Sequence, residues 1–183
     1  FEKLLVVAHS MGGLVAREYA LGGVRDSRKP YLGLLVTIST PWGGHEGAQA
    51  GLRYSPVVLP SWVDVAVGSP FLTVMMEKSL PPEVPHQLFF GFAGGDGSDG
   101  TVSIVSQLDP RSQRGASAVV GFPEDHLGIL HSPATSERLN GALAAAAPAR
   151  EPGQARRLER RPREPAVAHP PAWGRQRAGG VAR

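Results

Sequence analysis

The chain has 183 residues, of which 42% are hydrophobic, 19% are charged and none is cysteine. That length suits one domain with a sizeable core, while the composition excludes a disulfide framework and a cysteine-ligated zinc site. The net charge of +3 is unevenly spread, because residues 148–183 hold nine arginines against three glutamates, and no run of about 20 apolar residues offers a membrane-spanning helix.

Leu4-Leu5-Val6-Val7 is a short continuous apolar run and reads as a buried parallel strand. Directly behind it, Ala8-His9-Ser10-Met11-Gly12-Gly13 breaks the strand with small residues around a serine. Gly13 to Leu21 then reads as a helix, with Gly22-Gly23 where a C-terminal stop belongs. A strand that turns this sharply into a helix holds its serine at a strained corner, hydroxyl towards solvent. Strand and helix pass so close there that the residues two before and two after the serine must be small, a condition met by Ala8 and Gly12. The backbone N–H of Met11 points where a substrate carbonyl oxygen would gain negative charge.

Residues 41–85 are too long for a bare loop. Their apolar, helix-capable content, punctuated by Pro56, Pro60, Gly68 and Pro70, reads as a lid or wall over the serine, with Trp42 and Trp62 as substrate contacts. Packing of the same residues onto the sheet is the equal alternative.

Gln87 to Phe92 reads as a further buried strand, and it runs into the glycine-rich loop Ala93–Val102. Carboxylates at the C-terminal ends of parallel strands meet ligands, so Asp96 and Asp99 are both candidates, and Asp109 is a more distant third. Ala116 to Gly121 makes a last short strand. After it, Phe122–Leu130 carries His126, with Leu127, Ile129 and Leu130 to anchor the loop, and a helix runs from Pro133 to Ala147. His131, five residues on, is the rival to His126. His9 reads as a cover for the serine turn and His45 as a solvated loop residue, while His86 and His169 have no supporting context. No histidine pair has the spacing of a hydrolytic zinc site, and Gly94–Gly97 lacks the Gly-Lys-Ser/Thr of a phosphate loop. Neither metal nor cofactor is expected.

Taken together, these pieces resemble the C-terminal half or more of an α/β-hydrolase of the lipase/esterase type, with its chain order Ser, Asp, His. Ile38-Ser39-Thr40-Pro41-Trp42-Gly43-Gly44-His45 resembles the Thr-Pro-x-x-Gly segment of many lipases, and Ser98-Asp99-Gly100-Thr101-Val102 resembles their Asp-Gly-x-Val acid loop. The resemblance covers residues 1–147. It implies a partial α/β-hydrolase fold, a mostly parallel sheet flanked by helices, with the N-terminal strands missing. Ser10 would be the nucleophile, Asp99 the acid that orients the histidine, His126 the general base and Met11 an oxyanion donor. The activity implied is cleavage of a small-molecule or lipid carboxylic ester through an acyl-enzyme. A hydrolase sheet has strands before the nucleophile strand and draws its second oxyanion amide from them. The chain alone is therefore expected to expose an apolar sheet edge and to hydrolyse little. A non-catalytic remnant serving as a binding module, and an acyltransferase using the same triad, are the alternatives. Residues 148–183, rich in Arg, Pro and Ala, are expected to be disordered; an adventitious extension is preferred to a basic arm for nucleic acid or an anionic membrane, and with no aromatics interleaved among the arginines no nucleic-acid partner is expected.

Overall fold

The computed structural model describes residues 3–23 and 32–147; the expectation for the tail and His169 fall outside them. Among the described residues, four strands, β1 (Leu4–His9), β2 (Leu32–Ile38), β3 (His86–Gly91) and β4 (Ala116–Phe122), form one sheet in the order β1-β2-β3-β4, every neighbouring pair parallel. Parallel neighbours cannot be joined by a hairpin, so each connection must cross over a face of the sheet. Helices fill those crossovers. The first holds α1 (Gly12–Gly23), the second α2 (Glu46–Tyr54), α3 (Pro60–Val65) and α4 (Pro70–Glu77), and the third the single turns α5 (Ile104–Gln107) and α6 (Pro110–Gln113). A 3₁₀ turn at Gly128–Leu130 and α7 (Pro133–Ala146) follow β4.

The two-residue period of a strand divides the core between two faces. Leu34, Val36 and Ile38 of β2 pack with Phe89, Phe122 and Ala142 of α7 on one side, while Leu35 and, beyond the register shift that skips Gly33, Leu32 meet Ala16 and Ala20 of α1 on the other. All seven residues of β2 are therefore buried, as a parallel strand covered on both faces requires. Each fully buried Leu or Val here is worth roughly 1.5–3 kcal/mol. Helix α4 adds Leu72, Met75 and Met76 to the α1 side, over Leu14, Trp42 and Leu88.

Strands β1, β3 and β4 lie within a residue or two of the sequence expectation, which gives no range for β2. Two of the prolines that punctuate residues 41–85 are helix starts: Pro60 and Pro70 open α3 and α4, where a missing N–H costs nothing, while Pro56 lies in the bend between α2 and α3. Helix α4 is also capped by Ser69, whose Oγ accepts from Leu72 N at 3.1 Å. The single-turn helices α5 and α6 were not anticipated.

Candidate active site

The serine corner follows from three local constraints. Ser10 has φ of 54°, in the left-handed region that side chains other than glycine rarely adopt. Its N–H donates to Ile38 O at 2.8 Å, which carries the β1–β2 ladder one residue past the strand and pins the corner against β2. Helix α1 begins two residues later, so the Met11 amide belongs to the group of helix-start N–H donors that have no carbonyl within the helix to bond. The tight glycine is Gly13, not Gly12. A Cβ on Gly12 would sit 3.9 Å from that of Ala8, an ordinary contact, whereas one on Gly13 would fall 2.7 Å from Thr40 Cγ2 and overlap the rest of that side chain.

The loop after β3 folds Asp99 inward. Asp99 is fully buried, and its Oδ1 accepts from Thr101 N at 3.0 Å and Val102 N at 2.7 Å. Gly100, at φ of 88°, lets the chain double back. Gln107, also fully buried, closes the loop onto the end of β3: its Oε1 accepts from Gly91 N, and its Nε2 donates to Gly91 O and Val102 O. Nothing in the sequence marks Gln107 out beyond a lone amide beside the apolar Ile104 and Val105.

His126 stands between β4 and the 3₁₀ turn, almost fully buried. Its Nδ1 is 2.7 Å from Asp99 Oδ2, and its Nε2 is 3.0 Å from Ser10 Oγ. A carboxylate only accepts, so Nδ1 carries the proton and Nε2 presents a lone pair to the serine hydroxyl. Burial on its own would raise the Asp99 pKa. The bonds from His126, Val102 and Thr101 outweigh burial and hold the carboxyl below its usual value. The loop is anchored by Ile129, which is fully buried, while Leu127 and Leu130 are exposed and anchor nothing.

The other candidates lie apart from this cluster. Asp96 is exposed and accepts from Ser98 Oγ within its own turn, and Asp109 caps α6 and pairs with Arg111 at 2.8 Å. His131 is exposed at the end of the 3₁₀ turn. His86 is a core residue bonded to Thr37 Oγ1 at 2.8 Å. His45 caps α2 through Nδ1, which accepts from Ala48 N, and its Nε2 donates to Thr101 O at 2.9 Å. His9 does more than cover the turn: its Nε2 lies 2.8 Å from the carbonyl oxygen of His126.

Above Ser10 opens a cavity of about 420 Å³ lined by Met11, Ala48, Trp62 and Val65 among others, with His45 and Thr101 at its polar side. Trp62 is at this wall, but Trp42 is not, which corrects the expectation for that residue. Trp42 is wholly buried among Leu14, Leu72 and Met75, edge-on to the His86 ring at 5.8 Å. The turn after β2 sends its side chain down beneath α1 and α4. A larger cavity, of about 630 Å³, is lined by Arg17, Lys78, Pro85, Arg114 and Ser117 and contains none of the clustered residues. Among the described residues, no group of three or more His, Asp or Glu is placed to hold a metal ion, and no helix is long and apolar enough to cross a membrane.

No protein-family model and no curated protein matches the sequence. Among solved structures, the product of the gene lin2722 from Listeria innocua is similar over 76% of this chain and 56% of its own, at 22% identity and a TM-score of 0.54. Phospholipase PlaB from Legionella pneumophila, in complex with thio-NAD, is similar over 57% of this chain and 27% of its own, at 18% identity and 0.48. Human thioesterase 2 is similar over 78% and 71%, at 16% identity and 0.41. The chain thus spans little more than half the length of the first of these proteins and about a quarter of the second. Its four parallel strands with flanking helices are a partial α/β-hydrolase fold.

Proposed function

From this partial α/β-hydrolase fold, we propose that the chain is a serine hydrolase that cleaves carboxylic esters through Ser10, His126 and Asp99. One observation carries the reading: the unbroken hydrogen-bonded series Ser10 Oγ, His126 Nε2, His126 Nδ1 and Asp99 Oδ2, with steps of 3.0 and 2.7 Å. Ser10 Oγ attacks the ester carbonyl carbon while its proton passes to His126 Nε2. The oxygen that becomes negative is met by the Met11 N–H at the start of α1, where the helix dipole favours an anion. Collapse breaks the C–O bond to the alcohol, which leaves with the proton from Nε2 and so yields the acyl-serine. Water then attacks that ester, gives its proton to Nε2, and releases the acid as Ser10 regains its hydrogen. Asp99, held ionised by three donors, keeps the ring oriented and stabilises the imidazolium.

Residues 1–147 are read as the hydrolase domain, with 41–85 as the wall of its site. The Met11, Ala48, Trp62 and Val65 lining favours an uncharged acyl group over a charged one. In the protein expressed from its complete gene, Ser10→Ala lowers turnover of a short p-nitrophenyl ester by roughly 10⁴ to 10⁶. A folded Ser10→Ala protein that keeps more than about a tenth of the activity would contradict the assignment.

A further inference from the structure

The sheet leaves one registration problem unsolved. Ser10 follows β1 and His126 follows β4, and these strands lie at opposite ends of the order β1-β2-β3-β4. No ladder bond therefore sets the base against the nucleophile. The Ser10–His126 bond cannot do so alone, because its proton moves in every turnover.

The geometry points to His9 as the positioning residue that makes this connection, an inference that rests on the proposed Ser10–His126 chemistry. His9 ends β1, adjacent to the serine, and its Nε2 lies 2.8 Å from His126 O. A carbonyl oxygen only accepts, so His9 is the donor. On the other side, the His126 amide donates to Asp99 O at 2.8 Å. The backbone of the base is thus gripped at its N–H by the acid's residue and at its C=O by the residue before the nucleophile. Neither bond involves the proton in transit, so both persist when the imidazolium forms.

The two rings are 4.6 Å apart and tilted by 49°, so a charge on His9 would oppose the charge that His126 takes up. His126 and Asp99 are the titrating groups that face His9, and burial, ahead of its bond to His126 and the opposed fields of His126 and Asp99, lowers its pKa. His9 therefore does its work neutral, with the proton on Nε2.

The test compares the protein expressed from its complete gene with its His9→Gln and His9→Leu variants. The amide nitrogen of glutamine reaches the same carbonyl, whereas leucine fills the space without a donor. On a short p-nitrophenyl ester, His9→Leu lowers kcat by about 10- to 100-fold with KM within about twofold, and His9→Gln stays within about threefold in kcat, since a displacement of about 1 Å in a reacting group costs up to 10²-fold. In proton NMR, the low-field His126 Nδ1–H resonance, assigned by its loss in His126→Gln, is sharp in the wild type and His9→Gln and broadened in His9→Leu. Should leucine prevent folding, His9→Asn, too short to reach the carbonyl, takes its place. Unchanged kcat and an unchanged resonance in the donor-less variant overturn the inference, as does an equal loss with glutamine and leucine. If the wild type neither hydrolyses ester nor labels at Ser10, it is the hydrolase reading that fails, and the resonance comparison still decides whether His9 positions His126.

Discussion

His126 is joined to Asp99 twice: its amide donates to the Asp99 carbonyl at 2.8 Å, and its Nδ1 donates to Asp99 Oδ2 at 2.7 Å. The loop that carries the acid and the loop that carries the base are thereby coupled at both backbone and side chain. A substitution can remove one link and leave the other.

Asp99→Asn is the substitution that does so. The backbone bond remains, and the amide oxygen still accepts from Thr101 and Val102. The amide NH₂ facing Nδ1 now donates, which moves the ring proton to Nε2 and removes the lone pair that Ser10 needs. Turnover falls by about 10⁴ while the far-ultraviolet circular dichroism stays that of the wild type. Asp96→Asn, at an exposed turn residue bonded to Ser98, changes turnover by no more than about twofold, in line with the small effect of such surface changes. The reverse sensitivity would contradict the site.

Strain at the corner sets a stability difference between two variants that both lack the Ser10 hydroxyl. A left-handed side-chain residue costs about 1–2 kcal/mol relative to glycine, and Ser10 has φ of 54°. Urea unfolding of Ser10→Gly therefore gives a stability about 1 kcal/mol above that of Ser10→Ala, even though alanine is the smaller change in composition. Equal stabilities would mean that the corner is relaxed.

The glycines behind the serine differ in the same kind of experiment. Gly13→Ala drives a methyl into the Thr40 side chain and costs about 1–3 kcal/mol. Gly12→Ala meets an ordinary contact at the start of α1 and lies within about 0.5 kcal/mol of wild type.

These glycines also mark where the sequence stops being legible. Strands β1, β3 and β4 show as short runs of apolar and small residues, and the elbow shows because its small residues and serine are contiguous. Ser10, Asp99 and His126 are each visible from their own loop. What a one-dimensional pattern does not carry is the direction of a side chain at a bend. Trp42 turns down into the core while Trp62 faces the cavity, and both sit in similar apolar, proline-punctuated contexts. The close approach of Gly13 to Thr40, the span of Gln107 across the acid loop and the bond from His9 to His126 join residues 16 to 117 positions apart. Such partners exist only once the sheet order is known.

Acid sensitivity follows from His86. Burial, reinforced by the nearby Arg17 guanidinium, lowers its pKa to about 4 from the usual 6.5. The unfolded chain takes up a proton as the pH drops through 6.5, and the folded chain does not until about 4. The contribution is thus complete above 6.5 and is lost progressively down to about 4. Between pH 7 and 5, urea unfolding loses roughly 2 kcal/mol from this group. His86→Gln removes most of that slope, leaving the part due to His9, whose pKa is lowered in the same direction. An undiminished slope in His86→Gln would place the acid sensitivity elsewhere.

The most direct measurement is covalent. A fluorophosphonate reacts only with a serine whose proton is drawn off by a neighbouring base, so the protein expressed from its complete gene is treated with one and digested, and the modified peptide is sequenced by mass spectrometry. A single adduct on Ser10 is expected, absent from Ser10→Ala and slowed by orders of magnitude in a His126→Gln variant. An adduct on another serine, or a folded protein that acquires none, would contradict the Ser10 assignment.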